Sequence, residues 1–182
     1  MSVVLGRHNG PVPIERSGKH PASTRLAATA RRLLDESTLC AIATAGLGAR
    51  AHINTAYFAW DRDFGIVWLS SPDARHSRNL RQNRSAAIAV YRSTQRWGEN
   101  DRGIQLFGTA RELRGRGAAE AERVYARRFK AYEGGLKGMA VYRLRATRMK
   151  LFDERVLGGG TFVTVSVRAR GSVRWVSTES FA

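Results

Sequence analysis

Thr38-Leu39-Cys40-Ala41-Ile42-Ala43-Thr44, then Ala45-Gly46-Leu47-Gly48, then the run from Arg50 to Trp60, is the stretch that decides how this chain folds. The first run is short, apolar and rich in β-compatible residues, so it predicts a strand. The glycine-bearing tetrad predicts its turn. The second run, with Ile53, Ala56, Phe58 and Trp60, predicts a returning strand. Two strands joined this closely lie antiparallel, because a parallel partner needs a crossover of a dozen residues or more.

Outward from this hairpin the same style continues. Asp61-Arg62-Asp63 makes the next turn and Phe64 to Ser70 a third strand, closed by Pro72. Asp73 to Asn83 reads as a short helix with a carboxylate at its start. Ser85 to Tyr91 returns to strand, residues 92–101 are polar and loop-like, and Gly103 to Leu113 forms a fifth strand. Ala118 to Tyr132 carries a helical stripe of Ala121, Val124, Tyr125, Arg128 and Phe129, and Met139 to Val156 is the last long strand of the core. Before the hairpin, Ser23 or Thr24 caps a helix to about Glu36, with Leu26, Ala30, Leu33 and Leu34 on one face. The first 20 residues mix Gly, Pro, His and Arg without period and read as an arm. After Gly158-Gly159-Gly160 the tail predicts a hairpin of Phe162–Val167 and Val173–Val176 around Gly171. The chain thus divides into an arm (1–22), a core domain (23–157) and a tail (158–182). The class is mainly β (α+β): antiparallel strands in a barrel flanked by three helices, and not a βαβ dinucleotide fold.

Composition excludes several classes. One cysteine, Cys40, rules out an internal disulfide framework, and its apolar strand neighbours make it a buried structural thiol. No apolar run approaches the ~20 residues of a membrane span, and Met1 to Gly10 lacks a signal peptide's apolar stretch. A cytoplasmic protein without membrane contact is the expectation. The formal charge is +16, and four lysines leave 27 arginines among the 31 basic residues, spread along the whole chain. Such a skew, beside abundant Ala and Gly, is what a GC-rich genome writes onto exposed positions. It favours anionic ligands in general, and nucleic acid is set aside. Tyr57, Phe58, Trp60 and Trp68 would be the stacking residues of a nucleic-acid barrel, but their strand spacing suits core and dimer packing better.

Familiar catalytic motifs are missing. There is no Gly-x-x-x-x-Gly-Lys-Ser/Thr loop, and Gly46-Leu47-Gly48 lacks the third glycine of a dinucleotide fingerprint. The histidines at 8, 20, 52 and 76 have no metal-ligand spacing. The chemistry-bearing segment is Trp68-Leu69-Ser70-Ser71-Pro72-Asp73-Ala74-Arg75-His76-Ser77-Arg78-Asn79-Leu80. A strand delivers two hydroxyls to a helix start rich in guanidinium, a combination that suits a phosphate group. The same residues also describe a basic, capped surface helix.

In this arrangement the sequence resembles the flavin-binding split-barrel family related to pyridoxamine 5′-phosphate oxidase. The likeness runs from about Arg25 to Phe152 and rests on four pieces in order: residues 37–44, Ala51-His52-Ile53-Asn54-Thr55-Ala56-Tyr57-Phe58, the Ser70–Leu80 segment, and Gly103-Ile104-Gln105-Leu106-Phe107-Gly108-Thr109-Ala110. The resemblance implies an antiparallel split β-barrel that binds FMN between the two subunits of a homodimer. Some branches hold a deazaflavin coenzyme, and others haem. It also implies site residues. His52, Ile53, Asn54 and Thr55 would run along the isoalloxazine edge. Ser70, Ser71, Arg75, His76 and Arg78 would surround the phosphate, and Gln105 would approach the ring from the neighbouring strand. Trp97 is either a cover for the cofactor or substrate or a plain surface tryptophan, and Arg168, Arg170 and Trp175 either line the substrate side or belong to a solvent-facing hairpin.

Two departures are visible. The oxidase pattern has Arg-Lys where this chain has Arg75-His76, with Arg78 as a replacement charge. The tail also lacks the Arg-x-x-Pro substrate segment. The implied activity is therefore an FMN-dependent oxidoreductase working by hydride transfer through flavin N5 on a small molecule, and not pyridoxamine 5′-phosphate oxidation itself. The catalytic residue stays open, with His52 and Tyr57 as proton donors to test. The other readings are a deazaflavin-dependent reductase, a non-catalytic flavin or haem carrier and, third, a nucleic-acid-binding barrel.

Overall fold

The computed structural model describes residues 14–134 and 137–181; the expectation drawn from Met1 to Gly10 lies outside them. The elements are β1 (Ile14–Ser17), α1 (Ser23–Asp35), β2 (Leu39–Ala45), β3 (Ala51–Trp60), β4 (Ile66–Ser70), α2 (Arg75–Gln82), β5 (Ser85–Tyr91), β6 (Arg102–Leu113), α3 (Gly115–Arg128), β7 (Ala140–Asp153), α4 (Glu154–Leu157), β8 (Thr161–Val167) and β9 (Val173–Phe181). All strand pairs are antiparallel. The order β7-β4-β3-β2-β5-β6 closes on itself through β6–β7, giving a six-stranded barrel, and β8, β9 and β1 extend the sheet from β7. Closure removes the exposed strand edges that an open sheet would present.

The two helical faces pack as their spacing requires. Leu26, Ala30, Leu33 and Leu34 of α1 are at most 2% exposed and join Ile42, Phe58, Ile66, Trp68, Ile88, Leu106 and Met149 in the main core. Helix α3 covers the other side of the wall, where Ala121 and Tyr125 meet Ala59, Val67 and Val141. Strand β4 is apolar on both faces for that reason, reading buried at Ile66, Val67 and Trp68.

Four expectations are corrected. Ile14–Ser17, expected as part of an irregular arm, pairs with Thr178–Phe181. The last core strand stops at Asp153, and Glu154–Leu157 form a fourth helix, a single turn that Gly158 ends at φ 104°. Glu154 holds that turn by accepting N–H bonds from Asp101 and Gly160. Helix α3 begins at Gly115 and ends at Arg128, because the aromatic cluster of Tyr125, Phe129 and Tyr132 carries the chain out through a turn. Helix α2 begins at Arg75, because Ser71–Ala74 are spent in a turn closed by Ala74 N–H on Ser71 O at 3.1 Å. Among the described residues no helix is long and apolar enough to cross a membrane.

Candidate functional site

The barrel splits beside β3. Strand β3 pairs with β2 along its whole length but with β4 only through Phe58–Trp60. From Ala51 to Tyr57 its second edge meets no strand among the described residues. The cause lies in β4, which leaves β3 after Trp68, pairs Leu69 and Ser70 with Val141 and Ala140 of β7, and turns into α2. A row of backbone donors and acceptors is thereby left beside the Ser70–Arg75 turn. Unpaired main-chain groups of this kind require a partner, from solvent or a ligand.

The turn is built by local bonds. Ser71 Oγ accepts from the Asp73 N–H at 3.2 Å, and Ser77 Oγ donates to Ser71 O at 2.8 Å. Helix α2 starts with no capping side chain and no acidic residue in its first turn, so its leading N–H groups keep their partial positive charge. Arg75 is exposed beside them. The helix is tied to β2 by Asn79 Nδ2, which donates to Thr44 Oγ1 at 3.1 Å.

Not every expected residue faces this opening. His76 turns inward: it is 4% exposed, stacks on His52 with centroids 6.5 Å apart, and meets the edge of Tyr142 at 6.1 Å. Burial first, and the neighbouring His52 second, hold the His76 imidazole below its usual pKa, so it adds no permanent charge toward a phosphate. At helical spacing it lies on the buried face with Ser77 and Leu80, which its neighbours in sequence did not reveal. The Arg78 guanidinium donates back to Asp73 O and braces the turn. Gln105 is not on a neighbouring strand. It lies in one row with Ala89, Ala41 and Thr55, so two strands separate it from β3, about 14 Å at the usual strand spacing.

Ile53 and Thr55 point to the outer face, and His52 and Asn54 to the inner one, where Asn54 Oδ1 is buried without a partner. Trp97 stands free at 92% exposed, and Cys40 is buried with its thiol pushed up to about 12 by burial. Among the described residues no cluster of His, Cys, Asp and Glu is arranged to hold a metal ion. The proximity of His52 to His76 escaped the sequence, since the two lie on different elements.

A small closed antiparallel barrel with a split beside a serine-bearing turn and an uncapped helix start is the split-barrel architecture. The chain belongs to the pyridoxamine 5′-phosphate oxidase family, whose model matches residues 26–153. Solved structures agree on the fold. A haem-binding protein from Mycobacterium smegmatis aligns at 20% identity and TM-score 0.62, over 84% of this chain and 61% of that one. A conserved hypothetical protein from Mycobacterium tuberculosis aligns at 17% identity and TM-score 0.60, over 76% and 89%. The haem storage protein HutZ from Vibrio cholerae aligns at 18% identity and TM-score 0.54, over 64% and 86%. The chain thus spans about three-fifths of the M. smegmatis protein's length. No curated protein matches the sequence.

Proposed function

We propose that this protein binds FMN in the split of its barrel, as a homodimer, and serves as an oxidoreductase for a small molecule. The observation that carries this reading is the unpaired β3 edge beside the Ser70–Arg75 turn. The residues fit the group. The β3 backbone from His52 to Thr55 offers paired donors and acceptors to a flat heterocycle, and the orphaned Asn54 Oδ1 is an acceptor waiting for an N–H. Ser70, Ser71, the first α2 amides and Arg75 suit a phosphate. Bound FMN supplies two-electron redox chemistry, with hydride transfer at N5. This chain's residues bind, orient and desolvate it. The His52–His76 pair, with His76 held neutral, is the proton-handling group nearest the edge.

A second copy of the chain completes the reading. The outer face of β3-β2-β5 is flat, with Ala41, Ala43, Ala87 and Ala89 at its centre, and it exposes Leu39, Ile53, Tyr57 and Tyr91. An apolar sheet face of this kind is a contact surface. Gln105, too far from Thr55 within one chain, reaches a ring on the β3 edge only from a partner.

The test is the visible spectrum of the purified protein after excess FMN is added and unbound flavin removed. Retained flavin bands, and affinity about 10- to 100-fold weaker in Arg75→Ala, are expected for loss of charge-assisted phosphate bonds. A colourless protein that keeps no FMN would refute the assignment, and binding of the deazaflavin coenzyme in its place would keep the site and change the ring. Haem is the second reading, favoured by the unpartnered Nε2 of His76 beside His52. A Soret band abolished by His52→Ala would establish it.

A further inference from the structure

We infer that the protein carries a second anion site, for a small ligand with two or more adjacent phosphoryl groups, in a cleft that the flavin segment does not reach. The cleft has a volume of about 860 Å³ and is lined by Arg84, Arg111, Arg143, Arg145, Arg168 and Arg170 against three carboxylates. Its walls are the ends of β6 and β7, the β3–β4 turn and the β8–β9 connection. None of the residues from His52 to Thr55, from Ser70 to Arg78, or Gln105 lines it.

The carboxylates do not neutralise it. Asp61 is taken by Arg143 and Glu120 by Arg116 at 3.0 Å, which leaves Asp63 alone against five arginines. Among the described residues Arg84, Arg111, Arg145, Arg168 and Arg170 have no ion-pair partner, and all five are exposed. The cluster also opposes ordinary sheet chemistry. Arg111 faces Arg143 across β6–β7, and Arg145 lies two residues along the same strand. Asp61 compensates Arg143, but the diagonal pair Arg111 and Arg145 stays uncompensated, and like charges on paired strands repel until an anion lies between them.

The far wall is pinned before any ligand arrives. Gly171 packs so closely that a Cβ there would lie 2.0 Å from Arg62 O, and Arg31 Nη2 donates to Gly171 O at 2.9 Å. Arg170 next to it sits at φ 59°, a left-handed conformation that only three non-glycine residues adopt among those described. A held loop fixes the backbone from which Arg168 and Arg170 reach into the cleft, so binding has only side-chain freedom to order there. Gly117, in the uncapped first turn of α3, adds helix N-terminal amides to the same space. The lining has no aromatic ring, so recognition rests on phosphoryl oxygens, which guanidinium forks bind bidentately. The volume is that of a small-molecule cleft.

Calorimetric titration of the full chain with tripolyphosphate, at about 0.15 M salt, tests the site. Saturable binding is expected, with inorganic phosphate at least tenfold weaker. Arg145→Ala and Arg168→Ala should each weaken binding about tenfold, while Arg92→Ala and Arg123→Ala, exposed arginines elsewhere, stay within twofold. Unchanged melting of the four variants shows that folding is not the cause. No saturable heat, equal losses in all four variants, binding to long single-stranded RNA alone, or a loss confined to Arg75→Ala would each overturn the inference. The last result would place the anion at the flavin turn.

Discussion

Helix α2 follows the turn proposed to hold a phosphate yet has only eight residues, too few to hold helical structure alone. Its position depends on contacts to the barrel, and the Asn79–Thr44 hydrogen bond is the buried polar one, with the two residues 8% and 4% exposed. Asn79→Ala removes a bond worth roughly 1 kcal/mol net and strands the Thr44 hydroxyl, which adds a desolvation penalty of about 1–2 kcal/mol. The expected loss is about 2–3 kcal/mol, or roughly 5–10 °C in Tm for a domain of this size. Replacing both partners by apolar groups, Thr44→Val with Asn79→Leu, leaves nothing unsatisfied and should cost less than Asn79→Leu alone. Urea unfolding of the four species, read at constant m-value, gives the coupling energy. Additive losses, or a single-variant loss below about 0.5 kcal/mol, would refute the reasoning and make the bond incidental. The same variants should bind FMN more weakly, since the turn follows the helix.

Gly108 sits at the β6–β7 bulge, where a Cβ would lie 2.0 Å from Arg145 O; Gly108→Ala should cost about 3 kcal/mol by overpacking, whereas Gly117→Ala, with open space around it, should stabilise α3 by about 0.5–1 kcal/mol. Chemical denaturation of both variants decides it. His76 titrates in the folded protein below its unfolded value of 6.5, so the unfolded chain takes up the proton first. The stability His76 contributes is therefore complete above pH 6.5 and is lost as pH falls from there through the folded pKa. A His76→Phe variant should lose that part of the pH dependence in unfolding scans from pH 8 to 5; an unchanged profile would show that His76 is not the titrating group.

The fold was legible because its signals are local. The alternation in residues 38–44 and 50–60, the turn chemistry of Gly46 and Gly48, and the apolar stripe of Leu26, Ala30, Leu33 and Leu34 each act within a few residues. What failed to show depends on distant partners. β1 is four residues long and mostly exposed, and only the edge of β9 makes it a strand. His76 reads as a ligand beside Arg75, but the helix rotates it onto its buried face. Gln105 reads as a neighbour of Thr55 until the strand order puts β2 and β5 between them. The arginine cleft gathers residues from Arg84 to Arg170; Arg168 and Arg170 were visible in the tail, but nothing local joined them to Arg84, Arg111 and Arg145.

The pairing of β1 with β9 fixes a timetable for the protein's birth. Ile14 is made 167 residues before its partner Phe181, an interval of roughly 10–30 s at ordinary translation rates. Strands β2 to β6 emerge in that time, while β1 has nothing to pair with. Thr178 Oγ1, which donates to Lys19 O at 2.7 Å, arrives together with Phe181. The outermost strand is therefore a clasp that fastens only after β9 has been made, and a chain cut before Val173 would leave β1 with no strand to pair with.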